Sequence, residues 1–261
     1  MPSLRIDPLP RVAPTAKHPV RVNVRTLPAN EHVPTHAHDW APLACTLRGA
    51  VRLRAGGTSW IVPPTRAVWV PPYVEHEVHL IGEVALRTVY IDASVAPRAL
   101  DTCDVIDVST LMREVIEALA SVDTKTQPLR YELLSRLLLE EIRRAPTLSL
   151  DLPLPSDRRL RSLCEALLDD PGVGANLEEW ATRVGASPRT LARLFRQELG
   201  MTFGQWRQRV RLAHAAALVS VGTPLAQVAA ALGYESASAF SAMFRRALGR
   251  PPSAFFASEV R

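Results

Sequence analysis

The sequence predicts an α+β chain in two parts, a β-rich N-terminal half closed by a helical segment and then an all-α C-terminal domain. Three observations carry that expectation. Residues 20–91 hold short apolar runs, one in strict alternation with polar residues, punctuated by proline and glycine. From Ser109 the apolar period becomes helical, and the last hundred residues write one apolar pattern nearly twice.

In chain order, residues 1–19 carry Pro2, Pro8, Pro10 and Pro14 among charges and read as a loosely held arm. Val20, Val22 and Val24 then alternate with Arg21, Asn23 and Arg25, a strand with one buried face. Further strands are expected at about 43–48, 50–54, 58–62, 67–70, 76–80 and 84–91, with Ala55-Gly56-Gly57 turning a hairpin. Many short strands of this kind argue for a small antiparallel barrel or jelly roll over residues 1–108. Residues 109–144 read as helical, from Ser109 to Val122 and from Pro128 to Arg144. In the second helix Leu129, Leu133, Leu137 and Leu138, with Leu134 and Ile142, make a stripe wider than one packing surface requires. Part of it covers the barrel, and the rest could pair with a second copy of the chain. Residues 145–156, with Pro146, Pro153 and Pro155, read as a linker.

Residues 157–261 contain the repeat. Ala181 and Gly185 recur as Ala229 and Gly233, a shift of 48; Ser187, Leu191, Phe195, Gly200 and Trp206 recur as Ser236, Phe240, Phe244, Gly249 and Phe255, a shift of 49. Each copy reads as a helix-turn-helix. Asn176 caps the first helix with Glu178 and Glu179 in its first turn, Gly185 ends it, and Ser187-Pro188 starts the next. Leu191, Leu194, Phe195 and Leu199 bury one stripe, leaving Arg189, Arg193 and Arg196 on another face. A helix presented after a short glycine turn is how a recognition helix reaches a major groove. From Phe203 to about Val221 runs one helix of roughly 18 residues, about 27 Å long, suited to spacing two such helices about 34 Å apart along a duplex.

The charge agrees with this division. Of the formal +5, residues 157–261 supply all, with 14 arginines against 9 acids, while residues 1–156 balance 17 basic against 17 acidic. A basic domain joined to a neutral one is the footprint of nucleic-acid binding by half the protein. No apolar run approaches the ~18 residues of a membrane span, and no signal peptide is recognised. Cys45, Cys103 and Cys164 have no metal-site spacing and suit free, buried thiols in a reducing cytoplasm.

The tandem pattern, with Arg211-Leu-Ala-His-Ala-Ala-Ala-Leu218 between the copies and Gly233-Tyr-Glu-Ser-Ala-Ser-Ala-Phe240 leading into the last recognition helix, resembles the AraC/XylS family of transcription regulators over about Asp157 to Phe256. Phe255-Phe256 stands where that family often has tyrosine-arginine. The N-terminal half resembles the cupin sensor domain such regulators carry, on His36-Ala-His38-Asp-Trp40, Gly49 and Pro71-Pro-Tyr-Val-Glu-His76. Pro42 replaces the expected glutamate of the cupin pattern, and Tyr73 replaces a glycine.

The resemblance implies a regulator that binds double-stranded promoter DNA and responds to a small-molecule effector. It also implies a homodimer held by the helical segment, and contact with RNA polymerase if the output is activation. Arg189, Thr190, Ala192 and Arg193 occupy places where family members reach base edges, and Arg196 is expected on phosphate. The second helix offers Ser236, Ala237, Ser238, Ser241 and Ala242, with Arg245 and Arg246 beyond, and is expected to read sequence more loosely. In the sensor, His36, His38, Trp40, Trp69 and His76 are the ligand-binding candidates, Trp40, Trp60 and Trp69 equally suiting core filling. His36, His38 and His76 could hold a divalent metal through neutral imidazole nitrogens, although the missing carboxylate argues that no metal is required. A cupin enzyme with an accessory DNA-binding domain is the rival reading; it lacks a fourth ligand and any further acid–base pair near the motif.

Overall fold

A computed structural model describes residues 13–28, 31–64, 66–148, 151–220, 222–248 and 251–252. The chain divides into two compact units, residues 1–56 with 60–150, and residues 57–59 with 151–261.

The first unit is a β-rich domain. Its strands are β1 (Val20–Leu27), β2 (His32–His36), β3 (Ala41–Ala55), β4 (Thr58–Val62, whose first two residues count with the second unit), β5 (Arg66–Trp69), β6 (His76–Ile91), β7 (Asp104–Asp107) and β8 (Thr147–Leu148). Two helices, α1 (Thr110–Ser121) and α2 (Pro128–Arg144), follow β7. β6 is the axis: β1 and β2 pair antiparallel along one of its edges and β3 along the other, after which come β5, β7 and β8. The expected strand pairs 43–48/50–54 and 76–80/84–91 are each one long strand. Gly49 (φ +72°) is not a break but a bulge, where an added Cβ would lie 2.4 Å from the Glu83 carbonyl oxygen. The register of β3 on β6 slips by one residue there, so Ala44 before the bulge and Val51, Leu53 and Ala55 after it share one core. β2, β7 and β8 were not foreseen, being short and without strict alternation, and β8 pairs with β7 inside the residues read as a linker. Residues 13–19, expected within the loose arm, are held: Thr15 and His18 exchange backbone hydrogen bonds of 2.9 and 3.1 Å and Pro14 is buried. The rest of that arm lies outside the described residues.

The two faces of the sheet have different partners. Leu43, Cys45, Trp69, Val89 and Ile91 pack against Met112, Val115 and Ile116 of α1 and Leu138 and Ile142 of α2. Tyr131 fastens α2 to β1, its hydroxyl donating to the Val20 carbonyl (2.8 Å) and accepting from the Val20 amide (3.1 Å). The broad leucine stripe splits as periodicity demands: Leu138 and Ile142 are buried, while Leu129, Leu133 and Leu137 are 67%, 59% and 38% exposed. Burial pushes the Cys45 thiol up to about 12, so it serves as a small apolar side chain.

The second unit has a short strand β9 (Asp151–Pro153) and helices α3 (Arg158–Asp169), α4 (Leu177–Val184), α5 (Pro188–Leu199), α6 (Phe203–Ser220), α7 (Leu225–Ala231) and α8 (Ala237–Leu248). Asp157 caps α3, accepting from the Arg159 and Leu160 amides, and its bond to the Arg159 guanidinium holds its carboxyl down at about 2. Leu191, Phe195 and Trp206 are fully buried, and Val228, Ala229, Leu232, Phe240 and Phe244 form the core of the second helix pair. The predicted repeat positions Gly249 and Phe255 lie outside the described residues.

Candidate nucleic-acid interface and sensor pocket

The helix pair α4–α5 is built as its caps require. The Asn176 side chain accepts from the Glu179 amide at 2.9 Å, Gly185 ends α4 in the left-handed region (φ +67°), and Ser187 Oγ accepts from the Thr190 amide at 3.1 Å. In α7–α8 the turn recurs, with Gly233 at φ +72° and Ser236 Oγ accepting from the Ala239 amide at 3.1 Å. The entry does not recur: Pro224 stands at the N-cap of α7 and supplies no side-chain bond.

Burying Leu191, Leu194, Phe195 and Leu199 turns the opposite face of α5 to solvent. Arg189, Arg193 and Arg196 are exposed, and Thr190 and Ala192 are half-buried. Arg193 leans along the helix onto Gln197, a bond that contact with a base would exchange. On α8, Ser238, Ala242, Arg245 and Arg246 are exposed and Ala237 and Ser241 half-buried, with the capping Ser236 exposed at the turn. Sequence reasoning missed that some arginines are internal struts. Arg207 donates to the Ala175 carbonyl (3.2 Å), and Arg211 Nε donates to the Pro171 carbonyl (3.1 Å) while its guanidinium lies 5.0 Å from the Tyr234 ring centroid. His214 Nε2 lies 3.1 Å from the Leu168 carbonyl. All three leave α6 at spacings of three or four; the two arginines tie it to the segment between α3 and α4, and His214 to the last turn of α3. Only that spacing could have signalled the role. They reduce the charge available to a phosphate backbone below the raw arginine count.

In the β-rich domain, β2, the turn after it and the start of β6 bring three imidazoles together. His36 and His76 are cross-strand partners, and His38 precedes β3. Ring centroids are 4.2 Å apart for His36–His76, 5.1 Å for His38–His76 and 5.6 Å for His36–His38. Tyr73, between β5 and β6, has a φ of +62°, in the left-handed region that favours glycine, and its amide donates to the His38 carbonyl at 2.8 Å. Burial lowers the basicity of all three rings, that of His76 to about 4, against the opposing pull of their carbonyl hydrogen bonds. All three are therefore neutral near pH 7. Asn23, Arg25, Pro42, Thr88 and Tyr90 line the same pocket, contributions from β1, β3 and β6 that no local motif announces.

The tryptophan candidates separate. Trp40 stacks on His38 (centroids 5.0 Å apart, planes at 14°) and stands by the trio. Trp69 does not: it is fully buried on the helix-covered face, its indole N–H donating to the Ala99 carbonyl at 2.9 Å. One residue along a strand decides which face a side chain takes, and Trp69 faces the helices. Trp60 is likewise core, packed with Val62 and Leu53.

Residues 24–145 match the family described as AraC-like ligand binding domain, and residues 180–258 that described as Helix-turn-helix domain. The HTH-type transcriptional regulator NimR of Escherichia coli (strain K12) is 34% identical over 226 residues, covering 86% of this chain and 82% of that protein. The arabinose operon regulatory protein of the same organism is 32% identical over 149 residues, covering 56% of this chain and only 50% of that protein. The crystal structure of unsaturated fatty acid bound ToxT from Vibrio cholerae aligns over 91% of this chain and 94% of that one at 13% identity, with a TM-score of 0.37, too distant to carry an argument.

Proposed function

The chain belongs to the AraC family of transcription regulators, and from that premise we propose that α5 and α8 read successive major grooves of a promoter under the control of an effector bound in the β-rich domain. The observation that carries the reading is the repeated unit. Two turns, each with its glycine in the left-handed region, each present a serine-capped helix with a solvent-facing side, and the 18-residue α6 lies between them in the chain. On that side α5 offers arginines that can fork onto guanine edges, whereas α8 offers small side chains suited to thymine methyls. The described residues contain no helix long and apolar enough to cross a membrane, which accords with action in the cytoplasm.

Dimerisation through α2 is part of the same proposal. Leu129, Leu133 and Leu137 recur every four residues on the exposed side of a helix whose opposite side is already buried. A homodimer would place two reading domains on one promoter, and RNA polymerase would be a further partner where the output is activation. We read the relatives as supporting regulation rather than catalysis, since those named above are transcription regulators. Footprinting on the DNA upstream of the gene tests the reading. The wild type should protect four grooves in two pairs, and Leu133→Glu with Leu137→Glu should leave a folded chain protecting one pair. Protection without sequence preference, or none, would refute regulation by this domain.

A further inference from the structure

β1 stands at the end of the strand order, and among the described strands it pairs with β6 alone. In an antiparallel pair, hydrogen-bonded positions alternate with positions whose amide and carbonyl turn away from the partner. The Asp92 amide donates to the Pro19 carbonyl at 2.8 Å, which fixes the phase of that alternation. Val20 is then an outward position. Its amide and carbonyl are both bonded to the Tyr131 hydroxyl, as an outward position requires. Val22, two residues further, turns its amide and carbonyl to the same open edge.

Beside that edge lies a cavity of about 240 Å³, walled by β1 on one side and by the end of α1, the turn after it and Tyr131 on the other. Its chemistry is that of an anion site with an apolar wall. Arg21 lines it, and the Arg21 Nε is buried without a hydrogen-bond partner. A buried donor left without an acceptor is unfavourable, and more so when it carries charge. The rim is cationic as well. His18, whose ring lies 5.5 Å from that of Tyr131, has its basicity lowered by burial and then by the charges of Arg21 and Lys17. No aspartate or glutamate stands among the described residues that line the cavity, whereas Leu119 and Val122 give it an apolar surface.

We propose that this cavity binds a small monocarboxylic acid, its carboxylate held by the Val22 amide and the Arg21 guanidinium and its apolar body by Leu119 and Val122. An ionised carboxylate brings two acceptor oxygens to two donors, and its charge answers that of Arg21. The volume lies below the roughly 300–1,000 Å³ of pockets for drug-sized ligands, so the body is a single ring or a short chain. A peptide added as a further strand fits less well, because Tyr131 already takes the edge at Val20 and would stop it there. The cavity is separate from the histidine pocket, although Asn23 and Tyr90 line both and are joined at 3.4 Å. A ligand here ties β1 to the corner between α1 and α2. The proposal does not rest on the reading of the chain as a regulator.

The test titrates the full chain with phenylacetate and with hexanoate, following the heat of binding and the melting temperature. Phenylacetamide is the uncharged match, and acetate is the carboxylate without a body. At least one of the two acids should bind one to one and raise the melting temperature. Phenylacetamide and acetate should each bind at least about tenfold more weakly, the first for want of charge-assisted hydrogen bonds and the second for want of apolar burial. Arg21→Gln should weaken the acids at least about tenfold. Ala120→Trp keeps Arg21 and fills the cavity from an exposed position, so it should block the acids in a chain that folds whether or not Arg21→Gln does. Failure of both acids to bind saturably overturns the proposal, and so does equal affinity for phenylacetate and phenylacetamide. Undiminished binding to Ala120→Trp would put the ligand elsewhere and overturns it too. None of these readouts involves DNA, so the regulatory reading stands or falls separately.

Discussion

The two helix-turn-helix units share a turn glycine, a serine cap and a core pattern, and differ on the face they turn to solvent. Position by position, Arg189 and Arg193 of α5 become Ser238 and Ala242 of α8, while Arg196 is retained as Arg245. The caps differ in the same direction, with Asn176 opening α4 and Pro224 opening α7 without a side-chain bond. Turn geometry and core are what folding needs, so both copies keep them; the solvent face is free, so there the copies part. The difference locates sequence reading chiefly in the first unit and leaves the second to shape and phosphate contact.

The largest expected effect comes from a place where the backbones agree and their surroundings do not. Gly185 and Gly233 both sit in the left-handed region, but an added Cβ meets nothing within 4 Å at Gly185, whereas at Gly233 it would lie 2.5 Å from the Gly172 carbonyl oxygen. Gly185→Ala should cost about 1–2 kcal/mol, the penalty of a side chain in that conformation. Gly233→Ala should cost about 1–3 kcal/mol more, because backbone must move away from backbone. Urea unfolding of both variants checks this. Equal midpoints would mean that the Gly172–Gly233 contact relaxes freely and that the two turns are equivalent after all.

That pair also shows what the sequence could and could not disclose. Capping and turn residues act over three or four positions, so Asn176, Gly185, Ser187 and Ser236 were legible, as was the buried stripe of α5. The approach of Gly172 to Gly233 joins residues sixty-one apart and leaves no local trace. The same holds for the bonds of Arg207 and Arg211 to the Ala175 and Pro171 carbonyls, since a backbone acceptor carries no side-chain signature. In the β-rich domain the three histidines were visible as a motif, but the burial of Trp69 on the helix-covered face depends on strand register, and the stacking of Trp40 on His38 on the turn before β3. Register itself was misread at Gly49, since a glycine inside an apolar run signals a break and a bulge equally.

Next in size is the reading of bases. Arg193→Ala gives the first helix the residue that the second already has, so it should cost about 1–3 kcal/mol on the operator and relax preference at one base pair. Ser241→Ala, on the half-buried edge of α8, should cost about 1 kcal/mol or less, the worth of one neutral hydrogen bond. Binding of each variant to the operator and to a one-base-pair variant panel measures both. A larger loss for Ser241→Ala than for Arg193→Ala would reverse the assignment of the two helices.

The smallest effect is the most exacting test, because there the units are expected to match. Arg196 and Arg245 occupy equivalent places, are both exposed, and lie in the last turn of their helices, away from the turns that lead into the groove. An arginine there meets phosphate, and neutralising one phosphate releases about one condensed counterion. Arg196→Ala and Arg245→Ala should therefore each lower the slope of log affinity against log salt by about 0.9. Neither should alter the ratio of operator to random-sequence affinity measured at one salt concentration, because a phosphate contact carries no base identity. The two outcomes fail separately. A changed ratio for Arg196→Ala would move that residue from the backbone to a base edge, extending the reading face of α5 by a turn. An unchanged slope for Arg245→Ala, beside a lowered one for Arg196→Ala, would mean that α8 does not engage the duplex. The second unit would then be a fold-level copy held to the first by Arg211 and the Gly172–Gly233 contact, and one groove would be read instead of two.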